Sequence, residues 1–92
     1  MITIYTTNTF DKLFEKLGYE IQKKAANKTE IFKENPFNSI LRTEKLHPKK
    51  FDVWSFRVDI NYRIVFQFIG QNKVLFIFVG HHNQIYKYDL FK

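Results

Sequence analysis

Along this chain the spacing of apolar and polar positions changes period twice. Residues 1–6 alternate, with Ile2 and Ile4 set against Thr3 and Tyr5, which is the two-residue period of a short strand. Phe10, Leu13, Phe14 and Leu17 then fall at i, i+3, i+4 and i+7, the spacing of one helix face. Thr7 or Asn8 stands where a cap is needed, and Gly18 stands where that helix should end. A second helix is predicted from Ile21, Ala25 and Phe32 on one stripe, with Lys23, Lys24, Lys28 and Glu30 mostly off it. Asn35-Pro36 stops it, because proline pushes the preceding residue out of the helical region. The two form an αα-hairpin whose outer lysines read as solvated surface. Residues 37–50 show no period beyond a short helical turn near Ile40-Leu41.

After this stretch the period returns to two. Trp54, Phe56 and Val58 alternate with Val53, Ser55 and Arg57. Tyr62, Ile64, Phe66 and Phe68 alternate with Arg63, Val65 and Gln67, and Val74, Phe76 and Phe78 with Leu75, Ile77 and Val79. Asp59-Ile60-Asn61 and Gly70-Gln71-Asn72 are the expected turns. The first hairpin should pair Val58 with Tyr62, Phe56 with Ile64 and Trp54 with Phe66, so Arg57 falls opposite Arg63. The expectation is one domain, residues 1–92, of α+β class. Its order is β-α-α-β-β-β, a mostly antiparallel sheet with the αα-hairpin on one face and the arginine-bearing face left available.

Composition narrows the setting. The chain is 45% hydrophobic and 18% aromatic, with eleven Phe and five Tyr, enough for one core. There is no cysteine, hence no disulfide framework and no thiolate chemistry. The opening residues lack the charged region and long apolar run of a signal peptide, and Val74–Val79 is far too short to span a bilayer. A soluble, cytoplasmic protein with no membrane partner is expected. The net charge is +6, and residues 35–92 carry nine Lys and Arg against four acids. That excess points to an anionic partner for this half.

The chemistry concentrates there too. Like charges directly across a strand pair are destabilising, so Arg57 facing Arg63 calls for a bound anion such as phosphate, unless Glu44 or Asp52 bridges one of them. Histidines follow at 81 and 82, and Arg42, Lys45, His47, Lys49 and Lys50 form a basic connection. Neighbours on a strand point to opposite faces, so His81 and His82 would not share one ion, and neither metal nor cofactor is expected. Each of the three glycines is isolated, which excludes a glycine-rich phosphate loop.

Asn35-Pro36-Phe37, Lys45-Leu46, Trp54-Ser55-Phe56-Arg57-Val58, Tyr62-Arg63-Ile64-Val65-Phe66 and Val79-Gly80-His81-His82 with Ile85-Tyr86 together resemble the RelE/ParE superfamily of toxins from type II toxin–antitoxin systems. The pattern looks closest to the RelE and YafQ-like branch. The resemblance implies a β-α-α-β-β-β fold, often with a further helix, and an antitoxin partner. It also implies cleavage of mRNA in the ribosomal A site, with ribosome and mRNA as partners. Carried over by position, Arg63 matches the strand arginine that contacts the scissile phosphate. His82 matches a position held by arginine in RelE and by histidine in YafQ-like members, and Tyr86 a C-terminal aromatic. Arg57 lies where RelE carries lysines, and Arg42, Lys45, His47, Lys49 and Lys50 would meet RNA. Glu44 departs from the histidine that many relatives have before the lysine-leucine pair, and His47 is the candidate replacement.

The resemblance implies a site that cleaves RNA without metal. The 2′-OH attacks its own phosphate, a base takes its proton, an acid protonates the 5′ leaving oxygen, and cations hold the phosphoryl charge. A ParE-like toxin that inhibits DNA gyrase without catalysis, and an inactive RNA-binding relative, are the alternatives. Strict alternation puts His81 on the arginine face, whereas the resemblance favours His82. A bulge or strand end at Gly80 would reconcile the two.

Overall fold

A computed structural model of the chain describes residues 1–47 and 49–87, Tyr86 and Lys87 by backbone alone. Strand β1 (Thr3–Thr6) leads into helix α1 (Asn8–Glu15) and helix α2 (Tyr19–Glu34). A 3₁₀ turn at Ser39–Leu41, the two-residue strand β2 (Glu44–Lys45) and a second 3₁₀ turn at Lys49–Phe51 follow. Then come β3 (Trp54–Arg57), β4 (Tyr62–Gly70), β5 (Lys73–His81) and a short helix α3 (His82–Lys87). The sheet order is β1-β5-β4-β3-β2, with β1 parallel to β5 and the other pairs antiparallel.

Local chemistry explains most boundaries. Thr7 caps α1, its hydroxyl accepting from Phe10 N–H at 3.0 Å and donating to the Ile77 carbonyl at 3.1 Å, which ties the helix to β5. Gly18 does not end α1, as its position suggested. It opens α2 in an extended conformation, its carbonyl accepting from Ile21 and Gln22. Asn35, before Pro36, is extended and stops α2. Asn72 turns the β4–β5 hairpin at φ 56°, a left-handed conformation asparagine tolerates.

The main core lies between the αα-hairpin and one sheet face. Phe32 has no exposed surface, and its ring centre lies 4.9 Å from those of Phe56 and Phe66 and 5.6 Å from Phe76. Truncating such a residue to alanine costs about 3–5 kcal/mol.

The second sheet face is not simply left open. Leu46, Val53, Val65, Phe78 and Ile85 make a smaller core there, roofed by the long connection and by α3. The cause is a bulge in β5. Ile64 pairs with Val79 and Val65 with Phe78, but Phe66 pairs with Phe76, so Ile77 is the extra residue. Everything after Ile77 changes face. Phe78 joins the second core, Val79 the first, and α3 brings Ile85 to the second core, which Leu13 of α1 also touches.

Candidate active site

Arg57, Arg63 and Gly80 stand abreast on β3, β4 and β5, the pairing of the two arginines being the expected one. Two positions along the strands, on the same face, lies the Ser55–Val65–Phe78 row, so the arginines border the smaller core. The bulge decides which histidine belongs with them. His81 pairs with Tyr62, on the main-core side, and its ring meets the Tyr62 ring edge-on at 5.7 Å. Its Nδ1 accepts from Asn83 N–H at 3.2 Å, which caps the first turn of α3. His81 is thus a capping residue, and the switch of face arises at Ile77 rather than at Gly80.

His82 opens α3 close to both arginines. Its N–H donates to the Asn61 carbonyl at 2.7 Å, and its ring stacks on His81 with centres 4.5 Å apart. Partial burial, and then electrostatic repulsion from His81, Arg63 and Arg57, hold its imidazole below the ordinary histidine value. At neutral pH the ring is therefore biased towards the neutral form that accepts a proton. Gly80 makes room for this arrangement. A Cβ there would come within 2.7 Å of Gln84 Oε1 and 3.1 Å of the Phe78 ring. Gln84 Oε1 in turn accepts from His81 N–H at 3.2 Å, so the missing side chain is what lets α3 fold back on its own strand.

The β3–β4 turn is the frame of the site. Asp59 Oδ1 accepts from Asn61 and Tyr62 N–H, both at 2.8 Å, and Oδ2 lies 3.5 Å from Lys24 Nζ on α2. Burial alone would raise the Asp59 carboxyl, but those two N–H groups and Lys24 together bring it below the ordinary value. Lys28 Nζ donates to the Val58 carbonyl at 3.2 Å. Arg63 Nη1 donates to the carbonyls of Asp59 and Ile60 at 3.1 Å and of Tyr62 at 3.2 Å. With Asn61 bonded to His82, every carbonyl from 58 to 62 has a donor. The turn thus orients Arg63 and anchors the backbone of His82. Sequence reasoning missed Asp59, Lys24 and Lys28 in this role. The Asp-x-Asn turn was the visible signal, but its ties to α2 are tertiary.

Arg57 differs from Arg63. It is half-buried, and among the described residues its side chain has no hydrogen bond or ion pair. Neither Glu44 nor Asp52 bridges it. Asp52 instead binds Lys45 Nζ at 3.2 Å and Trp54 Nε1 at 3.2 Å, and Lys45 also lies over the Trp54 ring. Lys45 is therefore already paired. His47, Lys49 and Lys50 stand exposed on the long connection, with Lys50 over the Phe51 ring. Arg42 is exposed and left-handed at φ 51°, a conformation costing a non-glycine residue about 1–2 kcal/mol. Tyr86 lies on α3 one turn beyond His82, and its side chain is outside the described residues. Among the described residues no three metal-ligating side chains converge, and no helix is long and apolar enough to cross a membrane.

Residues 4–86 match the family described as ParE toxin of type II toxin-antitoxin system, parDE, and the chain belongs to that family. It is a toxin of the RelE/ParE superfamily. Its fold is similar to that of a YoeB/ParE toxin from Agrobacterium tumefaciens, with TM-score 0.74, 19% identity, and coverage of 88% of this chain and 99% of that one. It is similar to the RelB-RelE antitoxin-toxin complex from Methanococcus jannaschii, with TM-score 0.71, 22% identity, and 91% and 96% coverage. YafQ from E. coli strain BL21(DE3) gives TM-score 0.74 at 11% identity, with 94% and 99% coverage. No curated protein sequence matches the chain.

Proposed function

We propose that this toxin is an endoribonuclease that cuts mRNA on the ribosome, with Arg57, Arg63 and His82 at its centre. The observation that carries the reading is the unpartnered, half-buried Arg57 guanidinium beside Arg63 and a histidine biased to be neutral. Arg57 faces Arg63 across a strand pair and has no carboxylate of its own among the described residues, so its guanidinium fork is suited to an anion. A scissile phosphate supplies it. Neutral His82 takes the proton of the 2′-OH as that oxygen bonds to phosphorus. Arg57, and Arg63 from its turn, hold the charge gathering on the phosphoryl oxygens. The 5′ oxygen leaves with a proton, for which Tyr86 is the candidate donor, and a cyclic phosphate remains. Each preorganised donor is worth roughly 3 kcal/mol in rate. Arg42, His47, Lys49 and Lys50 supply exposed charge for RNA phosphates, Lys45 less so because Asp52 compensates it.

The family description belongs to the branch for which gyrase inhibition is the rival reading. Binding gyrase needs no proton acceptor, so a histidine biased towards its neutral form near two arginines favours cleavage. Inducing the chain in bacteria should arrest growth, relieved by its antitoxin, and mapped 5′ ends of transcripts should show cuts inside translated codons. Growth arrest with intact mRNA and DNA-damage signalling would instead establish the gyrase reading.

A further inference from the structure

Among the described residues, Arg57 is not the only guanidinium without an acceptor. Among the described residues the Arg42 side chain has none either, although its backbone is held in a left-handed turn. The two line one groove of about 270 Å³, together with Lys28, the exposed Ile40 and Ile60, and Asp59, whose carboxylate is taken up by two turn N–H groups and Lys24. A second groove, of about 630 Å³, shares Ile40 and Arg42 and runs on to Phe37. Phe37 is 54% exposed, and its ring is backed by Trp54 at 5.5 Å and Phe68 at 6.0 Å. The path therefore runs from the proposed cleavage site, through Arg57, to Arg42 and then to a supported aromatic face.

That sequence of groups suits a single nucleic-acid strand, in which phosphates and bases alternate. Guanidinium forks bind phosphate oxygens, and a rigid aromatic ring offers a stacking surface to any base. An acidic peptide could satisfy the cations, but the groove is continuous with the phosphate site through Arg57, and a message held there must leave along some surface. We propose that this double groove carries the mRNA flanking the cut, with a phosphate on Arg42 and a base on Phe37. The proposal rests on the cleavage reading above and adds where the strand runs.

The test uses ribosomes programmed with a message whose cut nucleotide is 2′-O-methylated, so that it binds and is not cleaved. Arg42→Gln and Phe37→Leu should each weaken toxin binding, by roughly fivefold to tenfold. Arg42→Gln should also reduce the steepness of the salt dependence by about one phosphate contact. Both effects should vanish when the message is shortened to the cut on the groove side, found by trimming first one end and then the other. Thermal melts should confirm that both variants are folded. Wild-type affinity in both folded variants would overturn the proposal. So would a loss that persists on every trimmed message, which would mean contact with ribosomal RNA, or a loss confined to antitoxin binding, which would mean a peptide groove. In each of those outcomes the wild type still cuts, so the cleavage reading stands. A wild type that neither binds nor cuts would remove both.

Discussion

At the scale of single residues, the reading turns on what surrounds His82. Partial burial, and then repulsion from His81, Arg63 and Arg57, disfavour its charged form. The neutral ring is the one that takes a proton, so cleavage should fail as pH falls through the lowered value. Removing one positive neighbour moves that value up. Arg57→Gln should therefore shift the acid limb of the kcat/KM profile to higher pH, besides lowering the rate. An acid limb that stays in place in the variant would show that His82 is not the titrating base. Histidine chemistry was half legible in the sequence. The pair at 81 and 82 was plain, but the choice between them was not. Val74–Val79 is apolar at every position, so its two faces do not differ in polarity and the strict alternation read there could not show that Ile77 bulges. Gly80 was visible as a motif residue. Its reason, the space taken by Gln84, is a contact between two elements and has no periodic signature.

At the scale of elements, the β3–β4 turn does the positioning. Its hairpin register was legible because Trp54, Phe56, Ile64 and Phe66 alternate cleanly and a short turn fixes the offset. Strand β2 and helix α3 left no trace in the apolar spacing, since two and six residues are too few to show a period. The resemblance did allow for a further helix. Asp59 tests the role of the turn. Asp59→Asn keeps an acceptor for the Asn61 and Tyr62 N–H groups and loses the charge facing Lys24. Asp59→Ala loses both and should cost about 1–2 kcal/mol of unfolding free energy in denaturant titrations. The carboxyl has a lowered pKa in the fold, so its stabilisation is present above the ordinary carboxylate value and is lost as pH falls from there through the lowered value. Wild-type stability should therefore decline on acidification more steeply than that of Asp59→Asn. Parallel declines would mean the Asp59 charge is not linked to folding.

At the scale of the whole molecule, sequence and structure agree that positive charge gathers on the half bearing the sheet. What the sequence could not show was which cations are already spent. Lys45 is paired with Asp52, Lys28 and Lys24 brace the turn, and Arg63 holds three carbonyls, while Arg57 and Arg42 keep unsatisfied donors among the described residues. An antitoxin that silences such a surface has to answer that charge, which is why salt should weaken the complex unless apolar anchors dominate. The central claim is narrower: that His82 and Arg57 do chemistry rather than hold the fold. Single-turnover cleavage on programmed ribosomes, with circular dichroism to confirm folding, tests it most directly. Folded His82→Ala and Arg57→Ala should each cut at least about tenfold to a hundredfold more slowly than wild type. Folded variants that cut at the wild-type rate would contradict the assignment.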